Sequence, residues 1–190
     1  ENVEDLPDVG AQDIAALDVG ENDVVVGLAA SGRTPYVLGA IAEARRRGAL
    51  SAGVACSHPS PLGDAVEIMI APIVGPEVIS GSTRMKAGTA QKVALNLFST
   101  MLMVRMGRVY RGQMVDMIGT NEKLRKRAVR MVASLDGCTE AEAARALTDA
   151  GGELKVAVLV RRGLDAADAR ALLQGHGGRL RDAIAELGKG

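Results

Sequence analysis

Two stretches of this 190-residue chain share a pattern that restricts the fold more than any other feature. Each is a short apolar run that breaks into glycines and hydroxyls and then reopens as a helix. The first is Asp23-Val24-Val25-Val26-Gly27-Leu28-Ala29-Ala30, which breaks at Ser31-Gly32-Arg33-Thr34-Pro35. The second covers 66–74 and breaks across Gly75 to Thr89. Between them a helical stretch, Tyr36 to Arg47, ends at Gly48 and leads into the small apolar run Ser51 to Cys56. Runs that are apolar throughout, rather than alternating, suit strands of a parallel sheet covered on both faces, and the strand, helix, strand order points the same way. The expected fold class is α/β, a parallel sheet with flanking helices.

The remainder reads as helix. Asp13 to Leu17 fits a short helix, Thr89 to Met106 a long apolar one, and Met114 to Ser134 a second long one with Lys and Arg on one face. From Thr139 the chain turns Ala-rich and amphipathic, in segments at 139–150, 153–162, 165–174 and 178–187 separated by glycines. Thr139 followed by Glu142 has the spacing of a capping box. The expected organisation is a ligand-binding domain over 1–138 and a small helical module over 139–190, with no convincing internal repeat. Aromatics make up only 2% of the chain and Trp is absent, so the core must come from Val, Leu, Ile, Ala and Met.

Composition removes several classes of function. Lys plus Arg total 23 and Asp plus Glu total 23, which gives no electrostatic reason to expect a nucleic-acid partner. The apolar runs are too short to cross a bilayer, and no leader pattern opens the chain, so neither a membrane nor export is expected. Cys56 and Cys138 stand far apart in unlike contexts, which suits reduced thiols in the cytoplasm better than a disulfide. Two His and two Cys at no ligand-like spacing argue against a zinc site. Arg45, Arg46 and Arg47 fall in a last helical turn, where they complement the helix C-terminus. The chain starts with Glu1 rather than Met, which suggests processing, trimming or a piece of a longer protein.

The chemistry is expected at the two turns. Ser31, Gly32, Arg33 and Thr34 follow a strand and open a helix, the place where open α/β sheets bind ligands. Backbone N–H groups at a helix start attract anions, the hydroxyls and Arg33 add donors and charge, and glycine permits close approach. A phosphate is the natural guest, although a simple helix cap explains Ser31 or Thr34 equally well. The turn is not a P-loop, because the spacing is wrong. In the second turn, Gly75-Pro76-Glu77 precedes Gly81-Ser82-Thr83-Arg84-Met85-Lys86-Ala87-Gly88-Thr89. Here Ser82 and Thr83 would bond sugar hydroxyls or phosphate and Lys86 would add charge; the alternative again is a helix cap. Glu4 and Asp5 alone carry little information. His58 and His176 read as loop and turn residues, and neither has a visible nucleophile to activate.

These residues support a resemblance. Ala29 to Val37, the run from Gly81 to Lys92, Met114-Val115-Asp116, Thr120 to Leu124, Leu164 to Ala167 and His176-Gly177-Gly178 together resemble, in order and over nearly the whole chain, the N-acetylmuramic acid 6-phosphate etherase family. The resemblance implies a sugar isomerase (SIS) domain, a flavodoxin-like parallel sheet that binds phosphosugars, followed by a helical module. It implies a cytoplasmic, dimeric lyase without metal or cofactor that releases D-lactate and N-acetylglucosamine 6-phosphate in cell-wall sugar recycling. It implies Glu4 as the catalytic base, because the family carries a Glu-Asp pair shortly before the strand that leads into the Ser-Gly-Arg-Thr turn. Glu77, Ser82, Thr83 and Lys86 join Ser31, Gly32, Arg33 and Thr34 as implied substrate contacts. The family's first phosphate loop and acid glutamate have no counterpart in these residues, so the expectation is that this chain carries part of an active site and is inactive alone. Two other readings share the fold: a non-catalytic phosphosugar-binding regulator, and an aldose–ketose phosphosugar isomerase.

Overall fold

The computed structural model describes residues 2–188, which separate into two compact units, one ending at Phe98 and the other beginning at Ser99. The expected boundary near residue 138 falls inside the second unit.

The first unit holds α1 (Pro7–Ala16), β1 (Val24–Leu28), α2 (Pro35–Arg46), β2 (Leu50–Val54), α3 (Pro61–Ala65) and β3 (Ile68–Ile70). The strands form a parallel sheet in the order β1-β2-β3, with Val24 opposite Leu50 and Ala52 opposite Ile68. Side chains alternate across the strands. One face presents Val25, Gly27, Gly53 and Met69 to α2 and α3. A Cβ at Gly27 would meet Val37 and Ile41, and one at Gly53 would meet Leu62, so these glycines let the helices sit close to the sheet. Ile41 and Leu62 are buried there with Ala29 and Ala55. On the other face Ala52 and Val54 are buried, but Val24 stays 54% exposed and Ile68 48%. Cover on both faces was the expectation; α2 and α3 supply it on one.

Helix α1 starts six residues earlier than its polar sequence suggests, because Pro7 sets the first turn and α2 stabilises the rest. The pair is packed through glycine. A Cβ at Gly10 would fall on the Tyr36 carbonyl oxygen, and one at Gly39 on the Pro7 carbonyl oxygen. Tyr36 Oη donates to Asp13 at 2.8 Å across the same seam. The three consecutive arginines are all engaged. Arg46 and Arg47 donate to Glu43, and Arg45 donates to the Ala65 carbonyl oxygen.

Helix α4 (Lys86–Arg105) begins in the first unit and ends in the second. Leu97, Phe98 and Met101 on it are 62%, 51% and 60% exposed, so this apolar helix presents more than one side to solvent.

The second unit contains β4 (Val109–Tyr110), β5 (Gln113–Met114), α5 (Glu122–Asp136), α6 (Glu140–Asp149), α7 (Leu154–Val160), α8 (Ala166–Gly175) and α9 (Leu180–Leu187). The helix expected from Met114 starts only at Glu122, because Asn121 caps it through the Leu124 N–H. Upstream, Arg111 and Gly112 both take positive φ and close a two-residue hairpin between β4 and β5.

The last four helices are two copies of one helix pair, offset by 26 residues, a repeat that the sequence reading missed. Thr139 and Asp165 cap α6 and α8 by accepting the N–H three residues on. Ala143 and Ala169 are fully buried at matching positions. Gly152 N–H donates to the Leu147 carbonyl, and Gly178 N–H to that of Leu173, each at 2.7 Å. Both glycine pairs take positive φ, and Leu154 and Leu180 follow, buried. The repeat is faint in sequence because few residues beyond the small and turn positions and two leucines persist, and the buried apolar stretch is longer in α7 than in α9. One departure matters for packing. Lys155, nearly buried, reaches Asp116 at 2.7 Å and the Gly178 carbonyl at 2.8 Å, whereas its counterpart Arg181 lies exposed over the Tyr110 ring.

Candidate functional site

The first turn is built by the end of β1. Ala29 N–H continues the ladder to the Val54 carbonyl, and Gly32 N–H closes a turn on the Ala29 carbonyl at 2.9 Å. Gly32 has φ +67°, and a Cβ there would lie 2.6 Å from the Ser60 side chain, so no other residue fits. Ser60, buried, caps α3 through the Gly63 N–H. The Gly32 carbonyl in turn accepts the Leu62 N–H, which ties the turn to α3. His58 precedes this cap in an exposed loop, joined to Pro59 by a cis peptide bond.

Within the turn, the Ser31 hydroxyl oxygen accepts the Arg33 N–H at 3.3 Å. Thr34 stands at the N-cap of α2 without capping it through its side chain. Pro35 has no N–H, and Tyr36 N–H is given to the Glu4 carbonyl at 3.0 Å. The hydroxyls of Ser31 and Thr34 and the exposed Arg33 guanidinium are side-chain donors available to a ligand at this turn, while Tyr36 N–H at the helix start is already engaged. The Tyr36 bond also brings Glu4, an exposed residue, against the start of α2 beside this turn.

The second turn is organised by Glu77. Its Oε1 accepts the N–H groups of Lys86 and Ala87, and its Oε2 also accepts that of Lys86, all at 3.0 Å. These bonds hold its carboxyl below the usual carboxylate range. Glu77 thus turns its oxygens toward the first turn of α4. Lys86 Nζ donates to the Pro76 carbonyl at 2.9 Å, so its ammonium stays on this loop. Gly88 N–H donates to the Thr83 carbonyl, and Ser82 N–H to that of Ile79. The Thr83 side chain is exposed and that of Ser82 half-buried.

Cys56, just past β2, joins the two turns. Its N–H donates to the Ala30 carbonyl at 2.8 Å, and its thiol to the Ala87 carbonyl at 3.6 Å. Burial, and then the neighbouring Glu77 carboxylate, push the thiol pKa up, which suits a hydrogen-bond donor and not a nucleophile. Gln91 Nε2 adds a bond from α4 to the Val54 carbonyl at 3.2 Å. The strand end therefore carries both hydroxyl-rich turns side by side. Cys56 and the Glu4 carbonyl were not legible as parts of this arrangement, since each acts through a backbone partner distant in sequence.

Among the described residues no three His, Cys, Asp or Glu stand together as metal ligands would, and no helix is long and apolar enough to cross a membrane. His176 bonds Glu186 at 2.8 Å where α8 ends, within the second unit.

A family model for the SIS domain matches residues 7–101, half of the chain, including both hydroxyl-rich turns. The chain belongs to the SIS domain family. It is 48% identical over 185 residues to an N-acetylmuramic acid 6-phosphate etherase of Serratia proteamaculans, and 50% identical over 185 residues to that of Cronobacter sakazakii. Each alignment covers 97% of this chain and 62% of the relative. It is 57% identical over 159 residues to the etherase of Symbiobacterium thermophilum, covering 84% of this chain and 53% of that protein. As a SIS domain protein, the chain spans less than two thirds of the length of these relatives, and the similarity runs on past the SIS domain through the helical repeats.

Proposed function

We propose that this chain is the part of an N-acetylmuramic acid 6-phosphate etherase that carries the catalytic base and one wall of the phosphosugar site. What carries the reading is identity of 47–57% to proteins of that name over 84% or more of the chain, across both hydroxyl-rich turns. Ser31 and Thr34, with Arg33 and the close approach at Gly32, bind the phosphate. Ser82 and Thr83, with Lys86 and Glu77 beside them, face the sugar. Adjacency of the two turns at Cys56 supports one ligand bridging both.

In this reading the sugar opens, and its C1 aldehyde acidifies the C2 proton. Glu4 removes that proton, and D-lactate leaves from C3 with a proton from a general acid. Water then adds across the unsaturated aldehyde to give N-acetylglucosamine 6-phosphate. The hydrogen bond between Tyr36 N–H and the Glu4 carbonyl supports this role by tying Glu4 to the helix that the phosphate turn opens. Phosphate held far from C2 and C3 contributes orientation rather than chemistry. The enzyme acts in cell-wall sugar recycling in the cytoplasm, without metal, as a homodimer; the exposed apolar side chains of α4 support self-association.

The test is D-lactate release from N-acetylmuramic acid 6-phosphate, measured for this chain and for a full-length protein that contains it. Glu4→Gln in the active form is expected to lower turnover by about a hundredfold or more while leaving substrate affinity unchanged. No lactate from either form, with phosphosugar binding retained, would replace the lyase by a non-catalytic sensor.

A further inference from the structure

We infer that Glu77 is a positioning residue, the remote cap of α4 whose carboxylate fixes the loop that presents Ser82 and Thr83. The substrate half of this inference rests on the etherase reading; the cap itself does not.

The first N–H groups of a helix have no partner within it. Usually the side chain at the N-cap supplies one, but residue 85 is Met, which has no oxygen to offer. Glu77 takes the task from nine residues before Lys86, and both of its oxygens are used. The cap therefore closes a loop rather than a single turn. Between its ends lie Ser82 and Thr83, where Ser82 N–H donates to the Ile79 carbonyl and the Thr83 carbonyl accepts the Gly88 N–H, and Gly81 takes φ +84° with open space around it. Lys86 Nζ on the Pro76 carbonyl fastens the same two ends a second time. The first turn of α4 is in turn docked to the sheet, through the Cys56 thiol on the Ala87 carbonyl and Gln91 on the Val54 carbonyl. The Glu77 carboxylate thus connects this loop to the end of β2. It also fills the anion position at the start of α4 with the protein's own charge, which leaves the phosphate to the Ser31–Thr34 turn.

Amide hydrogen exchange reads the cap without reference to substrate. Lys86 and Ala87 N–H groups have Glu77 as their acceptor, so Glu77→Ala is expected to speed their exchange by about tenfold, with the amides of α2 unaffected. Glu77→Gln, which keeps an acceptor oxygen without the charge, is expected to restore part of the protection. Affinity for N-acetylglucosamine 6-phosphate, by calorimetry on the full-length protein, is expected to fall in the same order, Glu77→Ala furthest. Unchanged exchange at Lys86 and Ala87 in Glu77→Ala overturns the inference. So does a loss of affinity in Glu77→Gln as large as in Glu77→Ala with exchange protection kept, which would make Glu77 a direct substrate contact. If the unaltered protein does not bind the phosphosugar, the functional reading fails, and the exchange result still decides the cap.

Discussion

Replacing a helical glycine with alanine ordinarily stabilises a protein, because alanine is the better helix former by about 1 kcal/mol. Gly39→Ala is expected to do the opposite here. An added Cβ would lie on the Pro7 carbonyl oxygen, 2.6 Å from the Pro7 carbonyl carbon and 2.8 Å from its Cα. Carbon atoms prefer roughly 3.5–4.0 Å, so α1 would have to retreat from α2 by about 1 Å. The neighbour is backbone and cannot swing aside. Overpacking of this kind costs up to about 3 kcal/mol, which leaves a net loss near 2 kcal/mol after the propensity gain.

For a chain of this length such a loss lowers the melting temperature by roughly 4–8 °C, readable from helical circular dichroism on heating. The retreat also pulls on the segment that carries Glu4, whose carbonyl is tied to Tyr36. Gly10→Ala, which meets the Tyr36 backbone from the other side, should repeat the effect. Gly175→Ala, where nothing lies within 4 Å, is the control and should not destabilise. An unchanged or raised melting temperature in Gly39→Ala would refute the packing of α1 on α2 described above.

Glu43 should show its charge in an acid titration. Hydrogen bonds from Arg46 and then Arg47 hold its pKa down at about 2, so the carboxylate stabilises the fold fully above its ordinary value of 4.5. That contribution is lost as pH falls through about 2, so the unfolding midpoints of the natural protein and Glu43→Gln should differ at neutral pH and converge between 4.5 and 2. Lys155→Met should cost about 2–3 kcal/mol in denaturant unfolding, because it leaves the Gly178 carbonyl unpaired and weakens the hold on Asp116. The matching change in the second repeat, Arg181→Met, gives up only an exposed contact 6.0 Å from the Tyr110 ring centre and should cost less than about 1 kcal/mol. Equal losses for the two variants would mean that the repeats are not used differently.

The strands and most helices were legible because their signals are local. Val24-Val25-Val26 is β-branched, Pro35 opens a helix, and Thr139 with Glu142 makes a capping box that the structure reproduces with both bonds. What failed depended on partners elsewhere. Residues 114–121 carry enough apolar and helix-compatible side chains to look helical, but a hairpin turn at Arg111-Gly112 and a cap at Asn121 claim both ends. The duplication of 139–160 in 165–186 was hidden for a related reason. A helix pair of this size needs only small residues at the crossing, a glycine pair at the turn and one leucine after it, and the remaining positions are free to change.

For the site, the residue types were readable and their assignments were not. Ser31, Gly32, Arg33 and Thr34 have the residue types of an anion-binding turn, yet sequence could not say that Pro35 lacks a donor there and that Tyr36 N–H is given to the Glu4 carbonyl. Glu77 shows the difference most clearly. The family resemblance implies it as a substrate contact; as a placed side chain it accepts three hydrogen bonds from the helix that follows. The distinction arises because residue 85 cannot cap α4, so the cap comes from nine residues before Lys86, and that loop closure is long-range information. A family's shared motif therefore mixes groups that touch the ligand with groups that hold those in place, and only the acceptor of each N–H separates the two.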